Sequence, residues 1–437
     1  MLGAPVFRTA LFGPWSGNAL WTAARAVPSL DLPFADSKSL VDAITGRQLI
    51  SFARAGSGIY TDSAGVLQTA ATDIPRFDHN PLTGESLGLL VEEQRTNSIR
   101  NNTMVGAVAG TPGTLPTNWS ISTAGLTTSV VATGSIGSLS YIDVRLQGTA
   151  ASAAAGLQFG PASEVACSTG QTWTLSFYVA VVGGSTANVT GGYIGANLYA
   201  SGSYAGELPG ASFSLGSTLN RQTTTGTINP ASVTSMRPYF QINLVNGAAV
   251  DITLRIGLPQ AEQGATASSV IPTTTAAATR NADVASITGT NFSSWYRQDE
   301  GTFYFSAKRD YPVPSGPIPR IYQVQGAIAT DKIEQDFYSG GQVNFVRIPA
   351  GIQAEWYPAY FAQNGVASSL ALATNNIAGS SNGVITGTDN VATLPTVTQM
   401  FIGCEAAGAN VLNGYIRRLT YWPQRLDNAT LQAITQP

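Results

Sequence analysis

The chain has 437 residues, of which 43% are hydrophobic and 11% charged, with a formal net charge of −3. The hydrophobic fraction is too high for intrinsic disorder, and the charged fraction is less than half of the ~25% of an average soluble domain. The arginines form no basic stripe, so we expect no nucleic-acid partner. Without a continuous run of ~18 apolar residues, we expect no membrane span. Glycine, serine and threonine are abundant where an average domain has charged residues, and this composition indicates an all-β protein. The length of the chain indicates two or three domains.

Residues 1–30 contain Trp15 and Trp21 among glycine, proline and alanine, without a sustained hydrophobic period. Two interpretations stay open: a strand and loop folded back on the first module, or an anchor that docks into a larger assembly. An exposed apolar segment of this kind would otherwise favour aggregation. The segment lacks a basic region followed by a clean apolar core, so it is not a typical signal peptide. If the protein works outside a cell, we expect a route other than ordinary secretion.

Residues 31–96 are predicted to form a small β module, because short strand candidates alternate there with turn signals. The step Ser63-Ala64-Gly65 is typical of a tight hairpin turn with glycine at the positive-φ position. Pro81 and Gly84 indicate a second turn within "HNPLTG".

Residues 97–272 show the clearest alternation of the chain, in "TWTLSFYVAVV", "RPYFQINLVNG" and "DITLRIGLP". In the second of these segments, Phe240 and Ile242 fall on one face, and Tyr239 and Gln241 on the other. Such a period of two predicts strands with one face on a core and one face in water. Several such strands between Gly/Ser/Thr turns indicate a β-sandwich or jelly roll.

The last part of the chain begins with residues 273–282, whose small polar side chains predict an extended linker. Alternation restarts in "EGTFYFSAKRD", so residues 283–437 are predicted to form a second sandwich. The final "DNATLQAIT" predicts a short helix with Asp427 or Asn428 as its N-cap.

Three segments together resemble a family of phage fibre and head-spike proteins. The first covers about residues 50–97 and contains "PRFDHNP" and "LGLLVEEQRTN", where the family has P-R-F-D-H-D-P and L-G-L-L-x-E-x-x-R-T-N. The second, "IGLPQAEQGATASSVIPTTTAAATRNADV", resembles the end of the carbohydrate-binding-module-like jelly roll of such proteins. The third contains "LNGYIRRLTYWPQRL" and resembles the close of a concanavalin A-like (laminin-G-like) sandwich.

The resemblance implies a virion structural protein, either a tail fibre, a tail-associated spike or a head spike, that touches the host surface. Such proteins usually work as homo-oligomers, often trimers, and are assembled into the virion from the host cytoplasm. The implied architecture is an N-terminal virion-docking segment, the small β module, a jelly roll and a concanavalin A-like sandwich. The implied partners are further copies of the chain, other virion proteins through residues 1–30, and host surface polysaccharide.

The charged stretch "PRFDHNPLTGESLGLLVEEQRTN" raises the possibility of hydrolysis, which requires two carboxylates ~5–10 Å apart across a glycosidic bond. We interpret the stretch as structural instead. Glu92 and Glu93 are adjacent in a strand-like run and would point to opposite faces. Asp78, His79 and Asn80 precede a proline turn, where Asx side chains commonly bond their own backbone. No catalytic residue is therefore predicted, and the protein is not expected to be an enzyme.

Metal and cofactor sites have little support in the sequence. His79 is the only histidine, and no G-x-S-x-G, H-E-x-x-H or P-loop motif occurs. Cys167 and Cys404 fall in different predicted modules, which indicates two buried thiols rather than a disulfide or a metal site. Only "TGTDN" (residues 386–390) and Asp331 suggest a calcium site, and no cofactor is expected.

Sugar binding requires aromatic faces for stacking and polar groups for hydroxyls, but no charge. The sequence places two such groups on loops, "NLYASGSYAGELPG" and "AEWYPAYFAQNG", and loops at the end of a rigid sandwich commonly bind ligands. The predicted glycan-contacting residues are Tyr199, Tyr204, Glu207, Trp356, Tyr357, Tyr360 and Asn364. Each of these residues has an alternative interpretation as part of the core or of a subunit interface.

Three other functions stay open beside an adhesive fibre or spike. A polysaccharide depolymerase is disfavoured because no repeat of 20–30 residues, typical of a parallel β-helix, is present. An architectural protein that decorates the capsid would bury its aromatic clusters at subunit contacts. A secreted cellular lectin is disfavoured by the atypical N-terminus.

Overall fold

The computed structural model describes residues 18–311, 313, 318–339, 341–358 and 365–436. Strands hold 51% of the chain and helices 6%, and the strands build several β-sandwich sheets. The predicted all-β architecture built of β-sandwiches is therefore confirmed. In the ranges just given, no helix has both the length and the apolar character needed to cross a membrane.

The elements are numbered in chain order. The helices are α1 (Asn18–Ala24), α2 (Phe34–Ser37), α3 (Gly289–Ser293) and α4 (Asn428–Ile434). The first strands are β1 (Leu30–Leu32), β2 (Ser51–Ala53), β3 (Gly58–Thr61), β4 (Leu67–Ala70), β5 (Arg76–His79), β6 (Ser86–Val91) and β7 (Arg95–Asn97). The next are β8 (Ser120–Ser122), β9 (Thr127–Ile136), β10 (Leu139–Thr149), β11 (Ala154–Gln158), β12 (Val165–Ala166), β13 (Thr172–Gly184), β14 (Val189–Ala200), β15 (Ser203–Phe213), β16 (Asn220–Thr227), β17 (Ser235–Leu244), β18 (Ala249–Gln263) and β19 (Ala278–Arg280). The last are β20 (Val284–Thr288), β21 (Glu300–Lys308), β22 (Arg320–Gln325), β23 (Lys332–Tyr338), β24 (Gly341–Ile348), β25 (Gly351–Trp356), β26 (Val366–Ala373), β27 (Ile377–Ser381), β28 (Val384–Asp389), β29 (Gln399–Ile402) and β30 (Gly414–Trp422).

The chain divides into two compact units. The first unit comprises the described residues of Met1–Gly65, Ala70–Glu93 and Asn281–Pro437. The second unit comprises Val66–Thr69 and Gln94–Arg280. The second unit is therefore inserted into the sequence of the first.

The first unit is a sandwich of two antiparallel sheets. One sheet has the strand order β28-β27-β26-β21-β30-β6-β5, with β1 also paired to β30. The other has the order β2-β20-β29-β22-β23-β24-β25. Large apolar side chains such as Phe303, Phe305 and Leu370 are fully buried in its core.

Strands from the N-terminal part of the chain lie inside this first sandwich. Leu89 of β6 pairs with Ile416 of β30, and Leu30 of β1 pairs with Tyr421 of the same strand. The sequence predicts residues 31–96 as a small module of their own, but β1, β2, β5 and β6 complete the two sheets of the first unit. The apolar run of β6 explains this placement, because Leu87 to Val91 are all buried and need a sheet partner.

The second unit is also a sandwich of two antiparallel sheets. Its five-stranded sheet has the order β16-β13-β18-β10-β9, and its six-stranded sheet has the order β15-β14-β17-β11-β8, with β12 paired to β17. The core between them contains Phe177, Phe240, Ile242 and Ile256, all nearly inaccessible to solvent. The alternation predicted for β17 is thus confirmed.

The segment predicted as a linker is ordered where it belongs to the second unit. Residues Ala278 to Arg280 form β19, which pairs with β7. Thr273 is 1% exposed and donates its hydroxyl to the carbonyl of Ile99 at 2.7 Å. This part of the segment is extended, as expected, but it is packed rather than solvated.

Several local predictions agree with the structure. Gly65 has a φ of +77° and closes a turn from Asp62. Asp427 is the N-cap of α4 and accepts a hydrogen bond from the Thr430 N–H at 2.7 Å. Cys167 and Cys404 are free, buried thiols.

The described part of the N-terminal segment packs on the first unit. Leu20 of α1 is fully buried in a cluster with Leu431 and Ile434 of α4. Trp21 donates its indole N–H to Asp31 Oδ2 at 3.1 Å. Residues 1–17, including Trp15, lie outside the described residues, and the virion-docking role of residues 1–30 stays a prediction.

Candidate functional site

The six-stranded sheet of the second unit has an outer face rich in tyrosine. Ile194, Ala196 and Leu198 of β14 point into the core, so the residues between them lie on the opposite side. The neighbouring strands β15 and β17 are in register with β14 and extend this side. We call it the tyrosine face and define it by Tyr193, Gly195, Asn197, Tyr199, Tyr204, Glu207, Arg237, Tyr239 and Gln241.

Two aromatic rings form the centre of the tyrosine face. The rings of Tyr193 and Tyr239 are stacked, with centroids 6.1 Å apart and planes 28° from parallel. Gly195 makes room for them: a Cβ atom there would lie 2.8 Å from Tyr193 Cε1 and 3.2 Å from Tyr239 Oη. The absence of a side chain at Gly195 therefore lets both rings lie close to the sheet.

A carboxylate lies beside the stacked pair. Tyr239 donates its hydroxyl to Glu207 Oε1 at 3.3 Å. Burial and the negative charge of Glu207 raise the pKa of Tyr239 well above its ordinary value, and the same two causes raise the pKa of Tyr193. Both phenols are therefore protonated at neutral pH and act as hydrogen-bond donors. Glu207 itself is exposed and offers acceptor oxygens to a ligand.

A second aromatic pair extends the face along the β14–β15 hairpin. Tyr199 and Tyr204 are cross-strand partners whose rings meet edge to face at 6.4 Å. Tyr199 is 8% exposed, whereas Tyr204 is 62% exposed. The guanidinium carbon of Arg237 lies 5.8 Å from the centroid of the Tyr199 ring, within the range of a cation–π interaction.

The chemistry of the tyrosine face suits a polar ligand with apolar C–H faces. The partly exposed ring of Tyr193 and the exposed ring of Tyr204 offer stacking surface, whereas the rings of Tyr199 and Tyr239 are each only 8% exposed and pack behind them. Glu207, Asn197 and Gln241 offer acceptors and donors. Glycoside hydrolysis needs two carboxylates, and Glu207 is the one carboxylate in the residue set that defines the face. The arrangement thus offers the kinds of group that contact a bound sugar.

The structure separates the predicted glycan residues into three groups. Tyr199, Tyr204 and Glu207 lie together on the tyrosine face, on paired strands rather than on a loop. Trp356 of β25 is half-buried and packs against the core of the first unit and against Gly387 of β28. Tyr357 is 54% exposed and meets the ring of Tyr338 edge to face at 5.2 Å. Tyr360 and Asn364 lie outside the described residues.

Sequence reasoning did not predict six members of the tyrosine face as glycan contacts, among them Tyr193, Arg237 and Tyr239. The alternation of "RPYFQINLVNG" placed Tyr239 and Gln241 on the face opposite the core, and this pattern could have identified Tyr239 as a candidate site residue. It could not show that β17 lies beside β14, where Tyr239 comes into stacking distance of Tyr193.

The charged stretch of residues 75–97 belongs to the first unit up to Glu93, and four of that unit's charges are buried together. Arg76 donates to Glu92 Oε2 at 2.6 Å and to Asp283 Oδ2 at 2.5 Å. Arg54 donates to Asp283 Oδ1 at 3.1 Å. Two cations and two anions thus satisfy one another, which is the condition for burying charges.

Asp78 and His79 are bonded to local backbone. Asp78 Oδ1 accepts from the Thr61 N–H at 2.5 Å, and burial raises the pKa of this carboxyl to about 6. His79 Nδ1 lies 3.0 Å from the Thr61 carbonyl oxygen. Asn80 Oδ1 accepts from the Leu82 N–H at 2.9 Å and forms the expected Asx turn.

Within the described ranges, no group of three or more His, Cys, Asp or Glu side chains is placed to hold a metal ion. Asp389, in the suggested calcium segment, accepts a hydrogen bond from the Val391 N–H at 2.7 Å. The calcium hypotheses at residues 386–390 and at Asp331 stay predictions.

No family model matches the chain, and no curated protein sequence matches it. Solved structures with a partial likeness include the CBM40 domain of the Ruminococcus gnavus IT-sialidase bound to α2,3-sialyllactose, at 14% identity and a TM-score of 0.30. That match covers 34% of this chain and 88% of the other. The Streptococcus pneumoniae NanB sialidase matches at 12% identity and a TM-score of 0.29, over 35% of this chain and 26% of the other. The Trypanosoma rangeli sialidase matches at 10% identity and a TM-score of 0.26, over 35% of this chain and 25% of the other.

Proposed function

We propose that the chain is a structural subunit of a phage fibre or spike that adheres to host cell-surface glycans through the tyrosine face. The observation that carries the proposal is the stacked Tyr193–Tyr239 pair with Glu207 hydrogen-bonded beside it. Pyranose rings present flat C–H faces that stack on aromatic rings, and their hydroxyls bind to carboxylate and amide groups. The tyrosine face offers both kinds of group in one plane.

The wider role is supported by the resemblance of residues 50–97 and of the two sandwich ends to phage fibre and spike proteins. On this proposal the chain works in the virion as a homo-oligomer, and its N-terminal segment docks on another virion protein. It holds polysaccharide without cleaving it and needs no cofactor.

The test is adhesion of the labelled, purified protein to host cells, with the supernatant assayed for released oligosaccharide. We expect binding without release. The double variant Tyr193→Ala/Tyr239→Ala should lose binding, and circular dichroism checks its fold because Tyr239 is only 8% exposed. The single variant Tyr193→Ala, whose ring is partly exposed, should lose binding and keep its fold. Tyr141→Ala is the matched control, since Tyr141 is a half-buried tyrosine on the five-stranded sheet of the same unit.

The outcomes separate the candidate functions. Binding with released oligosaccharide would replace adhesion by depolymerisation. Absence of binding to host cells would contradict adhesion and favour an architectural role in the virion. Equal loss of binding in the control and in the double variant would show that the tyrosine face is not the contact surface.

A further inference from the structure

Arg237 differs from the other arginines of the second unit. Those six each donate to a named oxygen: Arg95 to Gln263 O, Arg100 to Glu164, Arg145 to Asp251, Arg221 to Ser268 O, Arg255 to Asp143, and Arg280 to Ser269 Oγ. Arg237 has no ion pair with any described residue, and its Nε is buried without a hydrogen-bond partner. A buried guanidinium N–H without an acceptor is unfavourable, and a bound carboxylate would supply the acceptor that the described residues do not give Arg237.

A second arginine of the same unit, Arg255, has both an aromatic neighbour and a carboxylate partner. Arg255 lies 3.7 Å above the Tyr141 ring, and both oxygens of Asp143 accept from its guanidinium at 2.9 Å. Arg237 has the corresponding aromatic neighbour in Tyr199. It lacks the carboxylate among the described residues of the protein.

The position of Arg237 links it to the stacked tyrosines. In the register of the sheet, Arg237 of β17 faces Asn197 of β14, which in turn faces Glu207 of β15. Two strand spacings separate the cation from Glu207, roughly 10 Å. Tyr239 is the next outward-facing residue on β17, roughly 7 Å along the strand. A cation, an aromatic platform and a carboxylate are therefore spread over about the length of one or two sugar rings.

We propose that the tyrosine face selects an acidic glycan, in which a sugar carboxylate binds Arg237 while a ring of the same chain stacks on the partly exposed Tyr193, which the buried Tyr239 supports. The planar guanidinium matches a carboxylate in a two-bond fork, and such charge-assisted pairs are stronger than neutral hydrogen bonds. Glu207 takes sugar hydroxyls at the far side of the face. This inference rests on the proposed glycan-binding function and names its substrate class, a polysaccharide whose sugar rings carry carboxylates.

The test uses pairs of polysaccharides that differ in charge alone. Polygalacturonate, alginate and hyaluronan are each compared with the same polymer after chemical reduction of its carboxylates to alcohols, and dextran and galactan serve as neutral ligands. We expect at least one acidic polymer to bind about 10-fold or more tightly than its reduced form, the usual contribution of one charge-assisted pair. This preference should weaken as sodium chloride rises from 50 to 500 mM.

Substitutions test whether Arg237 causes the preference for the acidic polymer. Arg237→Gln should abolish the preference for the acidic form but retain binding to the reduced polymer through the tyrosines. Arg237→Lys should retain part of the preference, because it keeps the charge and loses the fork. Arg145→Gln is the matched control, since Arg145 is a half-exposed arginine on the other sheet, paired with Asp251. Should Arg237→Gln fail to fold, Arg237→Lys compared with Arg145→Gln tests the assignment: a preference reduced only in Arg237→Lys supports it, and an unchanged preference in Arg237→Lys overturns it.

The binding experiments distinguish failure of the acidic-glycan inference from failure of the proposed glycan adhesion. Equal binding of acidic and reduced polymers, a preference insensitive to salt, or a preference retained in folded Arg237→Gln would overturn the acidic-glycan inference and leave glycan adhesion in place. A preference lost equally in Arg145→Gln would also overturn it, because it would report overall charge. Absence of binding to every polysaccharide, together with absence of adhesion to host cells, would overturn both.

Discussion

Arg76 and Glu92 form an ion pair inside the first unit, with Nη1 and Oε2 2.6 Å apart. Burial disfavours the charged guanidinium, yet the carboxylates of Asp283 and Glu92 raise the pKa of Arg76 above its ordinary value. The chain returns to the first unit at Asn281, and Asp283 lies close after this point, next to β20. The buried charges therefore join two segments of the first unit that lie far apart in the sequence.

Glu92→Gln should strongly destabilise the first unit. Removal of one partner from a buried pair leaves an uncompensated charge, which costs about 3–5 kcal/mol. Asp299→Asn is the control, because Asp299 pairs with Arg297 on the surface, where such pairs contribute below about 1 kcal/mol. Urea denaturation followed by near-ultraviolet circular dichroism measures both. Equal losses in the two variants would show that the buried cluster does not stabilise the unit.

Asp78 should make the first unit less stable as pH rises from about 4 to about 6. Burial raises the pKa of its carboxyl to about 6 in the folded protein, above the ordinary value of 3.8. The folded state therefore binds this proton more tightly than the unfolded state, and the contribution is present below pH 3.8 and lost as pH rises through 6. A shift of about two units corresponds to roughly 3 kcal/mol.

Asp78→Asn isolates this contribution, because asparagine keeps an oxygen for the Thr61 N–H and cannot titrate. The difference in unfolding free energy between wild type and variant, measured from pH 4 to pH 7, cancels the other titrating groups. We expect the wild type to lose stability relative to Asp78→Asn across this range. A difference that does not change with pH would contradict the buried, titrating carboxyl.

The sequence predicted the local structure of the chain better than its connections. Period-two alternation found strands such as β17, and turn chemistry found Gly65 and the cap at Asp427, because these features depend on neighbouring residues. The pairing of Leu89 with Ile416 joins residues more than 300 positions apart. No local pattern carries that information, so the insertion of the second unit into the first was not predictable.

The same limit applies to the candidate site. Aromatic and glycine composition identified Tyr199, Tyr204 and Glu207, which do share one surface. Arg237 was overlooked because an isolated arginine in a strand is ordinarily paired with a carboxylate. The absence of a hydrogen-bond partner for its Nε can be seen only in the folded structure, where the register of β14 and β17 determines which residues surround Arg237.

Trp356 and Tyr357, both predicted from the sequence to contact glycan, should respond differently to substitution. Trp356→Ala should destabilise the first unit by about 2–3 kcal/mol, somewhat less than the full cost of deleting a buried tryptophan, because the half-buried indole packs on Gly387. Tyr357→Ala should cost below about 1 kcal/mol, since the ring is 54% exposed. Thermal unfolding separates the two, and similar losses would contradict this assignment.

Adhesion of the same two variants tests the second aromatic group as a glycan contact. Reduced adhesion of folded Tyr357→Ala would establish a contact on the first unit in addition to the tyrosine face. Unchanged adhesion would leave the tyrosine face as the contact surface that the described residues support.

Gly195→Ala should weaken glycan binding without unfolding the second unit. The added Cβ would lie 2.8 Å from Tyr193 Cε1 and 3.2 Å from Tyr239 Oη, so at least one ring must shift and the flat stacking surface is lost. Aromatic geometry of this kind contributes about 0.5–1.5 kcal/mol beyond area burial, so affinity should fall about 3- to 10-fold. Gly216→Ala is the matched control, since a Cβ there would meet nothing within 4 Å. Unchanged affinity of Gly195→Ala, measured by calorimetry with the best-bound polysaccharide, would show that the Tyr193–Tyr239 platform does not carry the ligand.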